Sequence, residues 1–120
     1  MRGVIVALGH SDASEEDIYK AADAGARLST HLGNGLAGTL PRHPNAVWAQ
    51  LAEDRLSASL ILDGHHLPKS TAQVMIRAKG TERVVLVSDS VKFAGMPPGR
   101  YTSPIGGDVE VSVNGRVSIF

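Results

Sequence analysis

The chain has no cysteine among its 120 residues, which excludes disulfide bonds and thiolate metal sites. Aromatic residues are scarce, at two Phe, two Tyr and one Trp, so the core must be mainly aliphatic. Net charge is absent because 12 Lys and Arg balance 12 Asp and Glu, and no strong field would attract nucleic acid or an anionic membrane. The sequence also lacks a membrane-spanning apolar run and a signal-peptide pattern. These absences predict a soluble, cytoplasmic protein.

Four apolar segments each end at residues that can bind a metal or transfer a proton. The clearest is residues 84–87, a continuous aliphatic run followed by Ser88 and Asp89. Such runs are typical of strands covered on both faces. Three earlier segments follow the same plan: residues 4–8 lead to His10, residues 27–30 lead to His31, and residues 59–62 lead to Asp63, His65 and His66.

Helix signals separate these strands. Ser14 is a predicted N-cap before an acidic first turn, and Gly25 is a predicted stop. Asn45 is the predicted cap of a helix over 46–53, and a third helix begins near Pro68 and stops at Gly80. Repeated βα units predict a parallel sheet, either an open doubly wound sheet or part of a (β/α)₈ barrel. Both architectures place ligands at the carboxyl ends of the strands.

The last part of the chain has a different pattern. Residues 93–105 are rich in Gly and Pro and have no helical period. Val109, Val111 and Val113 then alternate with polar residues, and apolar positions alternate again after Asn114 and Gly115. This pattern predicts a β-hairpin with a type I′ turn and one buried face.

The strand-end residues suggest metal-assisted chemistry. His10 and His31 occupy equivalent positions in consecutive βα units, so they are candidate ligands of zinc or another divalent metal. The alternative for each is a loop histidine that bonds to the backbone. Asp89 is the candidate general base, and the alternative is an Asp that caps a turn. One of His65 and His66 is expected to face the site and contact a carbonyl or hydroxyl.

A second group of residues suggests anion binding. The loop at residues 33–35 offers backbone N–H groups and an amide side chain, and Arg42 could grip a phosphate with its guanidinium. The sequence contains no Walker-type loop and no G-x-S-x-G motif.

Four ordered motifs resemble the N-acetylglucosamine-6-phosphate deacetylases, which are metal-dependent (β/α)₈ barrels of the amidohydrolase superfamily. The motifs are Gly9-His10-Ser11, Thr30-His31-Leu32-x-Asn34, Asp63-Gly64-x-His66 and Leu86-Val87-Ser88-Asp89. The resemblance implies that His10 and His31 bind the metal, that Asp89 is the catalytic acid/base, and that His66 contacts the substrate near its amide. It also implies phosphate contacts from Asn34 and Gly35, and from Arg42, which in this family often reaches across a dimer.

The resemblance further implies a partial barrel. Residues 1–95 would form about the last four βα units of a TIM barrel, and residues 96–120 would begin a flanking antiparallel β element. The family's glutamate metal ligand lies upstream of Met1. The chain also departs from the usual His-Leu-[Tyr/Phe]-Asn-Ala-Met motif, because Gly33 replaces the aromatic residue and Gly35 the alanine.

The implied function is zinc-assisted hydrolysis of an N-acetyl amino sugar phosphate to acetate and the free amine. N-acetylglucosamine 6-phosphate is the expected substrate, and the complete enzyme is expected to be a homodimer. These 120 residues are expected to be inactive alone. Two alternatives remain open: another amidohydrolase acting on a different N-acyl sugar or cyclic amide, and a non-catalytic sugar-phosphate-binding or assembly module.

Overall fold

The computed structural model describes residues 3–104 and 107–119, which form two compact units. The first unit, Met1–Ser88, contains four strands and three α-helices in alternation. These elements are β1 Val6–Leu8, α1 Glu15–Asp23, β2 Ala26–Ser29, α2 Ala46–Ala52, β3 Ser57–Leu60, α3 Lys69–Lys79 and β4 Val84–Leu86, with a short 3₁₀ turn at Thr81–Arg83. The strands pair in chain order, β1-β2-β3-β4, and all pairs are parallel. The predicted α/β class and parallel sheet are confirmed.

Local side-chain chemistry sets the helix boundaries. The Ser14 hydroxyl accepts the Asp17 N–H at 3.2 Å, and the Asp17 carboxylate accepts the Ser14 N–H at 3.0 Å, which together form a capping box. The Asn45 side-chain oxygen caps α2 in the same manner by accepting two N–H groups. Gly25 and Gly80 follow α1 and α3 with φ values of 112° and 71°. The four predicted boundary residues are therefore confirmed.

The core lies between the helices and the two central strands. One cluster joins Ile18 and Ala22 of α1 to α2 and Leu56, and a second joins Leu60 of β3 to Met75 of α3. Full burial of one leucine such as Leu60 contributes roughly 1.5–3 kcal/mol to folding. The core is mainly aliphatic, as the composition predicts.

The edge strands are not buried. Ile5 and Val6 at β1 are 72% and 52% exposed, and Val85 and Leu86 of β4 are 44% and 69% exposed. The prediction that the 84–87 segment is covered on both faces is therefore wrong within this structure. The physical reason is that strand side chains project from the two faces of the sheet, and of residues 84–87 only Val84 packs against a core cluster of the described residues.

The second unit, Asp89–Phe120, is an antiparallel sheet in the order β5-β6-β7. Its strands are β5 Gly99–Ser103, β6 Gly107–Val111 and β7 Val117–Ile119. Phe93, Val109 and Val111 form its core, and the Tyr101 ring stacks on that of Phe93 at 5.7 Å between centroids. The predicted hairpin is present, and a further strand, β5, lies inside residues 93–105, where the Gly- and Pro-rich sequence predicts no helix.

The predicted hairpin turn differs in detail. A type I′ turn requires positive φ at two successive residues, yet only Gly115, at 83°, has it, and Asn114 does not. Instead, the Ser112 N–H donates to the Arg116 carbonyl at 2.9 Å and closes a longer loop. Val113 lies in this loop and is 93% exposed, so its predicted place on the buried face is wrong.

The two units divide between Ser88 and Asp89, whereas the predicted domain boundary lies between residues 95 and 96. Phe93 accounts for this difference because it packs on Val109 and Val111 of the second unit. Assignment of the first domain to a barrel remains a prediction.

Candidate functional site

The parallel sheet brings the carboxyl ends of its strands to one edge. Backbone hydrogen bonds continue just past the strands. The Thr30 N–H donates to the Leu8 carbonyl at 2.7 Å, and the Leu32 N–H donates to the Ser59 carbonyl at 2.9 Å. The bond from Val87 N–H to the Leu60 carbonyl, at 3.1 Å, does the same for β4. Residues that follow these strands therefore emerge along a common edge of the first unit.

His10 and His31 meet at this edge. Their Nε2 atoms lie 2.9 Å apart, and the rings contact edge to face with centroids 4.7 Å apart. The sequence places 20 residues between them, and the pairing of β1 with β2 brings them together. We call these two residues the histidine pair.

The His31 end of the pair is embedded in protein. His31 is 7% exposed, and its backbone N–H donates to the Ser59 hydroxyl at 2.6 Å. That hydroxyl donates in turn to the Ser29 carbonyl at 3.0 Å, so one serine connects β2 to β3. The Nδ1 atom of His31 is buried and has no hydrogen-bond partner among the described residues.

The backbone at the predicted site residues is strained. Outside glycine, positive φ occurs at only three described residues: His10 at 48°, His31 at 29° and Asp89 at 48°. A non-glycine residue in this region costs about 1–3 kcal/mol, and such strain concentrates at functional sites. The same three residues are the predicted metal ligands and the predicted acid/base.

The histidine pair fits a divalent cation. Two nitrogen ligands about 2.0–2.1 Å from one zinc ion are separated by roughly 2.9–3.4 Å, which includes the observed Nε2 separation. The pair falls short of a full ligand set, since no group of three or more His, Cys, Asp or Glu within residues 3–104 and 107–119 could hold a metal ion. That this chain supplies two of the metal ligands remains a prediction.

Asp63 and His66 form a second close pair. The Asp63 carboxylate contacts Nδ1 of His66 at 2.6 Å and accepts the backbone N–H groups of His65 and His66 at 2.8 and 3.0 Å. Burial alone would raise the pKa of Asp63, but the amide donors and the His66 ring outweigh it and lower that pKa to about 2. Of the two adjacent histidines, His66 is the one whose ring a carboxylate orients.

The remaining predicted residues lie in loops. The Asn34 side-chain amide donates to the His31 carbonyl at 3.2 Å, so Asn34 is tied to the histidine pair. A Cβ at Gly35 would lie 2.8 Å from Nδ1 of His10, which places the Gly35 backbone against that ring. Arg42 is exposed; its carbonyl accepts the Trp48 indole N–H at 3.3 Å, and its guanidinium has no ion-pair partner among the described residues.

Asp89 belongs to the second unit, where it is exposed and follows β4 by three residues. Its role therefore remains a prediction.

Two contributors were not assigned a role from the sequence. Among the described residues, Ser59 is the one whose side chain links His31 to β3, and its signal is a serine in the interior of the four-residue strand Ser57–Leu60. Asp63 orients His66, and its signal is the three-residue spacing that suits an Asx-type turn.

A pocket of about 620 Å³ lies elsewhere in the first unit, between Leu62, Gly64 and one face of α3. Leu67, Ala72 and Ile76 form its apolar wall, and none of the predicted site residues lines it. None of the helices in the described ranges has the length and apolar character to cross a membrane.

Comparison with known proteins gives a consistent result, although no family profile matches the chain. It is 40% identical over 106 residues to the N-acetylgalactosamine-6-phosphate deacetylase of Shewanella sp. (strain ANA-3), which covers 88% of this chain and 24% of that protein. It is 37% identical over 99 residues to the N-acetylglucosamine-6-phosphate deacetylase of Lysinibacillus sphaericus, which covers 82% of this chain and 26% of that protein.

Solved structures agree. The N-acetyl-D-glucosamine-6-phosphate deacetylase of Mycobacterium smegmatis matches 98% of this chain and 30% of its own with a TM-score of 0.85 at 30% identity. The enzyme of Thermotoga maritima matches 93% of this chain and 31% of its own with a TM-score of 0.82 at 31% identity. The chain therefore spans about a quarter to a third of the proteins it resembles, and the resemblance predicted from the four motifs is confirmed.

Proposed function

We propose that this chain, which in sequence and fold corresponds to one segment of the amino sugar phosphate deacetylases, a family of hydrolases, carries part of such an enzyme's active site. The proposed reaction is hydrolysis of the N-acetyl amide of an amino sugar phosphate, with N-acetylglucosamine 6-phosphate as the first candidate substrate. The observation that carries the proposal is the histidine pair, whose Nε2 atoms approach to 2.9 Å at two strained strand ends.

N-acetylgalactosamine 6-phosphate is the second candidate substrate. It is favoured by two relatives named for this sugar phosphate, the Shewanella protein and an Escherichia coli O157:H7 protein that is 43% identical over 102 residues. The two sugars differ in one hydroxyl configuration, so the amide chemistry is shared and the sugar pocket decides between them.

His10 and His31 are the residues of this chain that would hold a divalent metal, most simply zinc. When bound, the metal would supply Lewis acidity at the scissile amide. A third protein ligand, the glutamate that the family resemblance implies, would come from outside these 120 residues. For that reason we expect the chain by itself to release no acetate.

Asp89 is the proposed proton carrier. Its carboxylate accepts a proton from the water whose oxygen bonds to the acetyl carbon, and it then delivers that proton to the amine nitrogen as the C–N bond breaks. The products are acetate and the free amino sugar phosphate, and Asp89 returns to its ionised form.

His66 is the proposed contact to the acetyl oxygen. Because the Asp63 carboxylate accepts the Nδ1–H, the Nε2 side of the His66 ring is left to contact the acetyl oxygen, and in the doubly protonated form of the ring its Nε2–H donates to the developing oxyanion. Asn34 and Gly35 lie beside the histidine pair, and Arg42 lies on the exposed loop that follows. These three residues are the proposed phosphate contacts.

The wider assembly is part of the same proposal. The parallel sheet of the first unit would be about half of a (β/α)₈ barrel, and the complete enzyme would be a cytoplasmic homodimer. The alternative is a non-catalytic sugar-phosphate-binding module, which would keep the phosphate contacts and lack metal chemistry.

Calorimetric titration with zinc tests the metal site in the chain as it stands. We expect weak binding that is lost in both His10→Ala and His31→Ala and is retained in the control His43→Ala, a histidine of the exposed loop. Equal binding in all four proteins would refute the proposed ligands. For the acid/base, acetate release by a complete enzyme containing this segment should fall by at least about 100-fold in Asp89→Asn. Full activity in that variant would refute the role of Asp89.

A further inference from the structure

One carboxylate organises the loop that follows β3, and its two oxygens have different partners. Oδ1 of Asp63 accepts the backbone N–H groups of His65 and His66 at 2.8 and 3.0 Å. Oδ2 lies 2.6 Å from Nδ1 of the His66 ring. Burial opposes ionisation of Asp63, but these donors outweigh it and hold the pKa of the carboxyl group at about 2. An ionised carboxylate can only accept, so Nδ1 of His66 carries a proton and donates it.

This bond decides what the second nitrogen of the His66 ring can do. A neutral imidazole has one N–H group and one nitrogen lone pair. When the proton is on Nδ1, Nε2 of the neutral ring has the lone pair and cannot donate to the acetyl oxygen, which is itself an acceptor. A doubly protonated ring has a second N–H, at Nε2. The proposed contact with the acetyl oxygen therefore requires the charged form of His66.

We propose that Asp63 is a positioning residue that makes the deacetylation depend on a proton held by His66. This inference rests on the proposed function and deepens it by assigning the site a limit at alkaline pH. As pH rises, the ring loses the proton on Nε2, because the proton on Nδ1 is held by the ionised carboxylate. The ring then has no donor for the developing oxyanion, and activity falls.

The His66 ring has a single acidic partner in the part of the chain that the structure describes, and it is Asp63. The nearest other titratable side chains along the chain are His65 and Lys69, the first residue of α3. Neither of them bonds to the ring within the described ranges. The proton on Nδ1 is therefore governed by one carboxylate, which makes a single substitution informative.

The substitution Asp63→Asn separates the two roles of the carboxylate. The backbone N–H groups of His65 and His66 need an acceptor, so the amide oxygen takes the place of Oδ1 and the loop keeps its bonds. The amide nitrogen then takes the place of Oδ2 and donates to Nδ1 of His66. A neutral ring must now carry its proton on Nε2, where it can donate to the acetyl oxygen.

Proton–nitrogen NMR of the 120-residue chain shows which ring nitrogen carries the proton, and it needs neither substrate nor metal. We expect neutral His66 to carry its proton on Nδ1 in the natural chain and on Nε2 in Asp63→Asn. The His65 ring should keep one tautomer in both proteins. Asp108→Asn, which removes an exposed carboxylate from β6, is the charge-matched control and should leave His66 unchanged. A proton on Nε2 in the natural chain, or no change in Asp63→Asn, would overturn the proposal.

The pH profile of acetate release tests the consequence in a complete enzyme that contains this segment. We expect the activity of the natural enzyme to fall at alkaline pH with the slope of a single ionisation. Asp63→Asn should lack this decline, and at lower pH it should be about 10-fold less active, because a neutral donor replaces a charged one.

Two results of the pH profile would overturn the proposal. One is an alkaline decline that persists in Asp63→Asn, and the other is a loss of activity in that variant by the same factor at every pH, as a merely structural role would give. The absence of acetate release by the natural enzyme at every pH would refute the proposed function and the pH limit with it. The position of the proton on His66 would still be decided by NMR, so the two failures are distinguishable.

Discussion

The Ser59 hydroxyl accepts the backbone N–H of His31 at 2.6 Å, so a residue inside β3 holds His31, which lies two residues past the end of β2. The same hydroxyl donates to Ser29 at 3.0 Å, and Ser59 is 3% exposed. Because the bond lies in the protein interior, water cannot replace it at low cost.

Ser59→Ala should therefore lower stability and loosen His31. We expect a loss of about 1–3 kcal/mol in the free energy of unfolding, because the buried His31 N–H would have no acceptor. Urea denaturation measures this loss. Ser57→Ala, on the same strand but partly exposed, is the matched control and should change stability by less than about 0.5 kcal/mol. Equal effects of the two substitutions would contradict the role of the bond.

Gly35→Ala should weaken metal binding through His10. The added Cβ would lie 2.8 Å from Nδ1 of His10, so the His10 ring must shift from its present position beside His31. We expect zinc affinity to fall by about 10–100-fold, the usual effect of disturbing a residue that supports a ligand. Gly25→Ala is the control: Gly25 also has positive φ, at 112°, but nothing lies within 4 Å of its added Cβ. A similar loss of zinc affinity in Gly25→Ala would show that backbone strain alone is responsible.

The carboxyl group of Asp63 should titrate at an unusually low pH. Two backbone N–H groups and the His66 ring hold its pKa at about 2 against the opposing effect of burial. His66→Ala removes only the ring, so the pKa should rise while remaining below the ordinary value for Asp. Carbon-detected NMR titration of the Asp63 carboxyl group measures both values. No rise in His66→Ala would mean that the ring does not contribute.

Glu53 should make stability depend on pH in the acid range. Its side-chain bond to Arg55 lowers the pKa of Glu53 to about 2, below the value expected in the unfolded chain. The interaction is therefore fully present above the unfolded pKa and is lost as pH falls toward 2. Glu53→Gln should lower the free energy of unfolding by only about 1 kcal/mol at pH 7, because Arg55 is partly exposed to solvent. The loss should be much smaller near pH 2, because Glu53 is then largely protonated in the native protein as well.

Urea denaturation at the two pH values measures the effect of Glu53→Gln. Glu82→Gln is its control, since Glu82 is exposed and lies 3.9 Å from Arg83. A Glu53→Gln effect that does not change with pH would contradict the low pKa.

Sequence reasoning succeeded where structure depends on local chemistry. The caps at Ser14 and Asn45 and the stops at Gly25 and Gly80 need only neighbouring residues, and all four are present. The predicted type I′ turn was wrong because the turn type depends on the φ of Asn114, which the Asn-Gly pair alone does not determine. The prediction that residues 84–87 are covered on both faces was wrong for a different reason. An apolar run shows that a strand can be buried on both faces, whereas actual burial depends on what packs against those faces.

The site was predictable to the same extent. Equivalent positions at consecutive strand ends brought His10 and His31 together, because parallel pairing places those ends at one edge. Ser59 could not be assigned because its contact with His31 depends on the register between β2 and β3, which the sequence does not specify. Asp63 and His66 are close in sequence, yet which of the adjacent histidines bonds to the carboxylate depends on the loop backbone.

The left-handed backbone at His10, His31 and Asp89 sets chain stability and chemistry against each other. Glycine would relax each position, while histidine and aspartate would carry the proposed chemistry there. Selection of this chain for stability alone would thus favour the loss of these side chains first. If natural variants keep these side chains, the site has been retained despite its cost in the stability of the fold.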